Sequence, residues 1–391
     1  MATLQQEPIS LEKDGSPKTV LGGSGEAAAA PAMHPSEQQS MVVLGHMTGA
    51  MTTNLMCLGE SLGLYKGLHE VGPCPAERLA QHLKLNPRYV EEWCRQQASA
   101  KVITTDENAE MYWLSEPQKD VLVRENGPDA SPFYSGGFLA ALPALQRVTQ
   151  TKLPELFVKG GGLDYDAYGE PVACGVCREL SVWLRHFLVD RLRALPGDFP
   201  QKLDSGCNVA DVGCGCGVAV LTSAAAFPNS TFHGYDISEI ALDEARDLAK
   251  KQNVKNVKFI NPGVDEGGMP EATYDIVMTH DAIHDMATPF DVMKSVKKSI
   301  KPGGIWIIGD MSSAPTHADN IHRHPFSPLM YGFSCHLCLP SAMSAPNSVG
   351  LGTMGLSENM ARDKLMEVGF TKVDVLDWGH PLNRYYLATT D

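Results

Sequence analysis

Along the chain the alternation of apolar and polar positions changes several times, and each change predicts a different kind of structure. Residues 1 to about 38 are rich in Gly, Ala, Ser, Pro and Gln, including Gly22-Gly23-Ser24-Gly25 and Ala27-Ala28-Ala29-Ala30, with no apolar period that could join a core. That composition predicts a disordered tail. From Gln39 an apolar segment runs over about Met41 to Leu64, and a helix-turn-helix follows. Its first helix is read from Pro75 to Leu83 and its turn at Lys84-Leu85. Asn86 caps the second helix, Pro87 takes the first helical position, and Val90, Trp93 and Cys94 share one face. The runs Val102 to Thr104 and Met111 to Leu114, joined through Asp106-Glu107-Asn108, predict a β-hairpin. Helix-turn-helix plus hairpin is a winged helix, placed over residues 39–125. Residues 126–203 read as a helical linker and lid, interrupted at Gly160-Gly161-Gly162.

The pattern then switches to short apolar runs that end in charge. Asn208-Val209-Ala210-Asp211-Val212 is a strand that enters Gly213-Cys214-Gly215-Cys216-Gly217, and a helix is predicted from Val218 to Phe227. A second strand ends at Asp236, nineteen residues after Gly217. This is close to the roughly 20 residues of a nucleotide-binding β-α-β unit, in which the second acidic residue holds a ribose diol. The glycines allow a sharp turn and a close approach of backbone to ligand. A dinucleotide loop, G-x-G-x-x-G, presents a helix N-terminus to a pyrophosphate. Here the loop is one residue shorter, and Asp211 two residues before its first glycine suits a cationic aminoacyl group instead.

These motifs together resemble the class I S-adenosylmethionine (SAM)-dependent methyltransferases. Tyr274-Asp275-Ile276-Val277-Met278-Thr279 looks like their fourth strand, and Lys301-Pro302-Gly303-Gly304 like the turn into their fifth. The similarity covers about residues 205 to 312, with Ser357 to Thr390 as a sixth and seventh strand pair. It implies an α/β, Rossmann-like seven-stranded sheet over residues 204–391, preceded by the mainly helical winged-helix domain. The two-part layout resembles small-molecule methyltransferases of the plant O-methyltransferase type and a related bacterial and animal subgroup. The subgroup similarity extends to Gly160-Gly161-Gly162-Leu163-Asp164-Tyr165 and Gly350-Leu351-Gly352-Thr353-Met354. It implies SAM as cofactor, a small-molecule methyl acceptor, and a winged helix used for homodimerisation.

Charge bears on the winged helix. Between residues 41 and 125 there are eight Lys or Arg against eleven Asp or Glu, and the second helix carries Glu91 and Glu92 after Arg88. The whole chain has 32 basic and 46 acidic side chains, a formal charge of −14. Such a surface repels a phosphate backbone, so no nucleic-acid partner is expected. The apolar residues Val42, Val43, Leu44, Met47, Met51, Leu55, Met56 and Leu58 exceed what one small domain buries, which points to an isologous dimer. No run approaches the roughly 18 apolar residues of a membrane span and no secretory signal is evident, so a cytoplasmic protein with no membrane partner is expected. The ten cysteines then read as reduced thiols. Cys174-Gly175-Val176-Cys177 and Cys335-His336-Leu337-Cys338 have zinc-like spacing but lie too far apart for a compact module, and no metal is assigned.

Candidate chemistry is concentrated near the ends of the predicted strands. Asp211, Gly213, Gly215 and Gly217 are expected at the aminoacyl end of the cofactor and Asp236 at its ribose, with Asp265 or Asp281 toward the adenine. His280-Asp281-Ala282-Ile283-His284-Asp285-Met286 looks like the "LHDW" motif of the plant-type enzymes, with Met286 replacing its tryptophan. The resemblance implies His284 as general base, its ring oriented by Asp285 or another carboxylate; a core or helix-capping histidine is the alternative. The loop residues Asp164, Tyr165, Asp166 and Tyr168 are candidates to line an acceptor pocket or cover the cofactor, with an ordinary surface loop as the alternative, and the segment Pro325 to Phe333 is a second candidate lid, with plain core as the alternative for its Met, Tyr and Phe. The acceptor atom stays open among O, N and S. A cofactor-sensing winged-helix regulator and an inactive SAM-binding protein are the other function classes.

Overall fold

A computed structural model describes residues 33–265 and 268–390. The predicted tail lies mostly outside the described residues, and its last positions are helical, because helix α1 (Pro35–Ser61) begins before Gln39. Helices α2 (Leu64–Val71), α3 (Ala76–Leu83) and α4 (Pro87–Ser99) follow. The α4 cap is as the sequence requires: Asn86 Oδ1 accepts from the backbone N–H of Arg88 at 3.0 Å and Tyr89 at 3.4 Å. Strands β1 (Thr104–Thr105) and β2 (Tyr112–Trp113) pair antiparallel, shorter than the runs predicted for the hairpin. Tyr65, Leu68, Leu79, Val90, Trp93 and Cys94 are buried together at the centre of this region.

Helix α1 departs from expectation. Its 27 residues hold no Lys or Arg, and Met41, Val42, Val43, Leu44, Met47 and Met51 are each about half exposed. By length and composition alone it is long and apolar enough to cross a membrane. Thr, Ser, Gln and Gly break the apolar run without adding charge, which is why a search for continuous apolar residues passes over it. By contacts, residues before Ala50 form a separate unit from those that follow.

The middle of the chain is helical: α5 (Glu116–Leu122), α6 (Gly136–Thr151), α7 (Leu153–Lys159), α8 (Glu170–Arg193) and α9 (Phe199–Ser205). The remainder builds the sheet, in the order β3 (Asn208–Val212), α10 (Val218–Ala226), β4 (Thr231–Tyr235), α11 (Glu239–Gln252), β5 (Val257–Ile260), β6 (Tyr274–His280), α12 (Pro289–Ser299) and β7 (Ile300–Met311). Helices α13 (His317–Arg323), α14 (Ser327–Phe333), α15 (Leu339–Ala342) and α16 (Glu358–Glu367) precede β8 (Lys372–Leu376) and β9 (Asn383–Thr389). Seven strands are ordered β5-β4-β3-β6-β7-β9-β8, all parallel except β9, which runs antiparallel to both neighbours. The Lys301-Pro302-Gly303-Gly304 turn is a bulge inside β7: Tyr274 pairs with Ile300, and the next partner of β6, Ile276, pairs with Ile305.

Strand residues alternate between two buried faces. Val209, Ile276, Ile305, Ile307 and Leu387 pack under α8, α10 and α11, while Ala210, Val277, Trp306, Ile308 and Tyr386 pack under α12 and α16. Each fully buried aliphatic or aromatic side chain of this kind stabilises by about 1.5–3 kcal/mol. A sheet covered on both faces leaves its strand ends for chemistry. The parallel strands β3, β4, β6 and β7 deliver Asp211, Asp236, Asp281 and Asp310 to one edge.

The expectation of ten reduced thiols is corrected. Cys177 of α8 and Cys216 of the glycine loop form a disulfide across 39 residues of sequence. Helix packing brings α8 against α10, an adjacency that no local spacing announces. The same bond removes Cys177 from the first C-x-x-C pair, and Cys335 is exposed rather than buried as a small hydrophobe would be.

Candidate active site

A cavity of about 330 Å³ opens at the carboxyl edge of the sheet. Its floor is Gly213 to Cys216 of the glycine loop, whose three glycines Gly213, Gly215 and Gly217 have φ of 74°, 51° and 73°. Two positions show why glycine is needed. A Cβ on Gly213 would come within 2.6 Å of Ala282 Cβ, and one on Gly215, which meets no atom within 4 Å, would occupy the open space. The N–H groups of Gly213 and Cys214 donate to the Tyr235 carbonyl at 2.8 and 3.0 Å, tying the loop to β4.

Asp211 comes from the buried end of β3 and is 1% exposed, with Oδ1 lacking any hydrogen-bond partner. Burial, and then the charge of Asp236, push its carboxyl up to about 8. An orphaned buried carboxylate on a cavity wall is complementary to a cation. Asp236 follows β4. Its Oδ2 accepts from Gly215 N–H at 2.7 Å and its Oδ1 from Ser238 N–H at 2.9 Å, so backbone fixes the carboxylate with further lone pairs free. Burial raises its pKa while those two N–H groups pull it back. Ile237 and Pro262 continue the wall beyond it. Asp211, Gly213, Gly215 and Asp236 all line the cavity, whereas Gly217 caps α10 behind the loop.

Asp265 is not brought there. Its Oδ2 accepts from Asn261 N–H at 2.9 Å and closes an exposed turn off the cavity wall. Asp281 does line the cavity, at the exit of β6 and with φ 56°, but beside His280 and Asp285.

His284 sits differently from the expected free base. It is 1% exposed and is not among the lining residues. Nδ1 lies 2.7 Å from Asp310 Oδ1, and Nε2 lies 3.1 Å from Asp285 Oδ1. The second is a charge contact rather than an aligned hydrogen bond, since that oxygen has no hydrogen-bond partner. Burial opposes charge on the ring, yet Asp310 and then Asp285 outweigh it and raise the imidazole well above its usual range. Both ring nitrogens thus face carboxylates rather than the cavity. The orienting carboxylate is Asp310 of β7, and Asp285 is the member that reaches the cavity.

Several wall residues escaped the sequence reading. His280 lines the cavity and is 8% exposed. Like Asp310, it closes a buried apolar strand with a polar residue, the signal that did reveal Asp211. Leu180, Ser181 and Leu184 of α8 and Ser341 of α15 carry no such signal. Of the first candidate lid, Tyr165 lines the cavity and Asp166 accepts a hydrogen bond from Ser238 Oγ, while Tyr168 is buried away from the wall. None of Pro325 to Phe333 lines it.

Comparison with known proteins bears on the fold that carries this cavity. Residues 203–343 match the family described as "Methyltransferase domain", and residues 50–124 match the "Rv2258c-like winged HTH domain". Among curated relatives, 27-O-demethylrifamycin SV methyltransferase of Amycolatopsis mediterranei is 28% identical over 166 residues, 40% of this chain and 60% of the relative. The ubiquinone biosynthesis O-methyltransferase of Acinetobacter baylyi is 32% identical over 101 residues, 26% of this chain and 42% of that protein. The chain thus spans less than two thirds of either relative's length. An O-methyltransferase family protein from Burkholderia thailandensis shares the fold with a TM-score of 0.66 at 15% identity, covering 92% of this chain and 99% of its own. Human N-acetylserotonin methyltransferase, solved in complex with SAM, does so at 0.62 and 16%, covering 93% and 99%. The chain therefore carries a winged helix-turn-helix domain followed by a Rossmann-like methyltransferase domain.

Proposed function

We propose that the protein is a SAM-dependent methyltransferase acting on a small-molecule acceptor. The observation that carries this reading is Asp211, a buried carboxylate with an unpartnered oxygen on the wall of a glycine-floored cavity, with Asp236 fixed by backbone N–H groups further along. Asp211 and the glycine loop would hold the cationic aminoacyl end, Asp236 the ribose diol, and Ile237 and Pro262 the base. When bound, SAM supplies an activated methyl group. The protein's part is to align the acceptor, exclude water, and receive a proton from a hydroxyl or amine. His284 serves in this reading as the buried cation that holds Asp285 at the wall. The N-terminal region is proposed to pair two copies of the chain through the exposed apolar residues of α1. Against a DNA-binding role, Arg88 on α4 is paired with Glu91 and Glu92, and Arg95 with Glu91.

The experiment is calorimetric titration with SAM and with S-adenosylhomocysteine (SAH), followed by a screen for SAH release with small alcohols, phenols, amines and thiols. Binding with turnover supports the enzyme. Binding without turnover of any acceptor favours an inactive SAM-binding protein, and no binding removes the reading.

A further inference from the structure

The ionisable side chains of the cavity wall other than His280 and Tyr are all acidic. Asp211, Asp236, Asp281 and Asp285 line it, and no Lys or Arg is among the lining residues. Under the reading above, Asp211 and Asp236 face the two ends of the cofactor, which leaves Asp281 and Asp285 in the turn after β6. Asp285 has the His284 ring 3.1 Å away to meet its charge. Asp281 Oδ1 is buried without a hydrogen-bond partner. Next to it His280, 8% exposed and on the same wall, holds Nδ1 3.2 Å from the Tyr385 hydroxyl and leaves Nε2 unpartnered. Buried polar atoms are normally paired, so neighbouring orphans on a cavity wall await ligand groups. The Asp281 backbone lies in the left-handed region, held there by its N–H to the Gly309 carbonyl at 2.8 Å. A non-glycine residue kept in that region is a recurrent mark of a functional position.

We propose that the methyl acceptor is a neutral or cationic molecule, an alcohol, phenol or amine bearing no carboxylate or phosphate, and that its reacting O–H or N–H docks on Asp281. This rests on the methyltransferase reading. An anionic group would enter a low-dielectric wall of carboxyl groups with no cationic side chain among the lining residues to receive it, whereas a donor pairs the orphaned oxygen. In the transfer, the acceptor's O or N forms the new bond to carbon, the sulfur keeps the electron pair of the broken bond, and the acceptor proton passes to Asp281. Burial pushes the Asp281 carboxyl up to about 7. His284 opposes that rise, while Asp310 of β7 and Asp285 add to it and Asn383 of β9 opposes it. Tyr385 of β9 and Tyr165 also face it. Proton affinity near neutrality suits a base at physiological pH. His280 is pushed down to about 3 by burial and stays neutral, so it adds no positive charge to the wall.

The test uses the full chain saturated with SAH and matched pairs of probes, such as tyramine against 4-hydroxyphenylacetate and benzyl alcohol against 4-carboxybenzyl alcohol, titrated by calorimetry. The uncharged or cationic member should bind at least tenfold more tightly than its anionic partner. Asp281→Asn should reduce that preference at least fivefold while leaving SAH affinity within twofold and the melting temperature near wild type, because Asn tolerates left-handed backbone. Tighter or equal binding of the anionic members, binding of none of the pairs, or an unchanged preference in Asp281→Asn overturns the proposal. Loss of SAH binding in Asp281→Asn also overturns it by assigning this carboxylate to the cofactor. Failure of the wild-type chain to bind SAH removes the methyltransferase reading beneath it, which is a separate result.

Discussion

Asp236→Ala tests the cofactor assignment where the geometry is most constrained. In the wild type the carboxylate accepts 2.7 and 2.9 Å bonds from the N–H groups of Gly215 and Ser238, which leaves lone pairs on both oxygens for a vicinal diol. Each hydrogen bond to a charged group contributes about 1.5–3 kcal/mol, so two ribose contacts represent about 3–6 kcal/mol before correction. Part of this is returned because the alanine variant has no carboxylate to desolvate. A net loss of about 1.4 to 3 kcal/mol corresponds to about 10- to 150-fold weaker binding. Asp236→Asn should fall between wild type and Ala, since it keeps one acceptor oxygen for the loop and loses the charge. Calorimetry with SAH reads both variants, and circular dichroism checks that the fold survives. Wild-type affinity in Asp236→Ala, with the fold intact, would refute the assignment and with it the placement of the ribose.

The other predictions concern charge, pH and association. His284→Ala leaves Asp310 and Asp285 without their shared cation, and chemical denaturation should show a loss of about 3–5 kcal/mol; a loss below about 1 kcal/mol would contradict a charged ring. Asp211, with its pKa raised to about 8, favours the ligand-free fold in its protonated form. Its contribution to stability is complete below its unfolded pKa near about 4 and is lost as pH rises through about 8. SAM binding should therefore release protons between pH 6 and 8 and tighten as pH rises across that window. Calorimetry in buffers of different ionisation enthalpy measures the release, and none at pH 7 would show Asp211 already ionised or remote from the ligand. The half-exposed apolar residues of α1 predict a dimer, so sedimentation should give twice the chain mass at micromolar concentration, and Met47→Glu with Met51→Glu should shift it toward monomer. A monomeric wild type would refute that surface as a homotypic contact.

Cofactor binding was legible in the sequence because its determinants are local. A glycine loop after a strand that ends in Asp211, and a second carboxylate one β-α-β unit later, are placed by backbone geometry within about 30 residues. The helix-turn-helix was legible for the same reason, through Asn86 as cap and Pro87 behind it. The hairpin came out shorter than expected, with its first strand shifted by a residue or two, because its strands satisfy little backbone of their own and tertiary contacts settle where pairing begins. The surroundings of His284 could not be read from its motif. Whether its ring meets an acceptor or a carboxylate depends on Asp310, 26 residues away on the neighbouring strand, and parallel pairing of β6 with β7 puts the two together. The Cys177–Cys216 bond, the exclusion of Pro325 to Phe333 from the wall, and the absence of a cationic side chain among the lining residues are likewise products of packing. Local spacing therefore determined which ligand backbone the loop can cradle, and only the assembly of distant strand ends and helices decided the charge and shape of the space beside it, because long-range contacts leave no periodic trace along the chain.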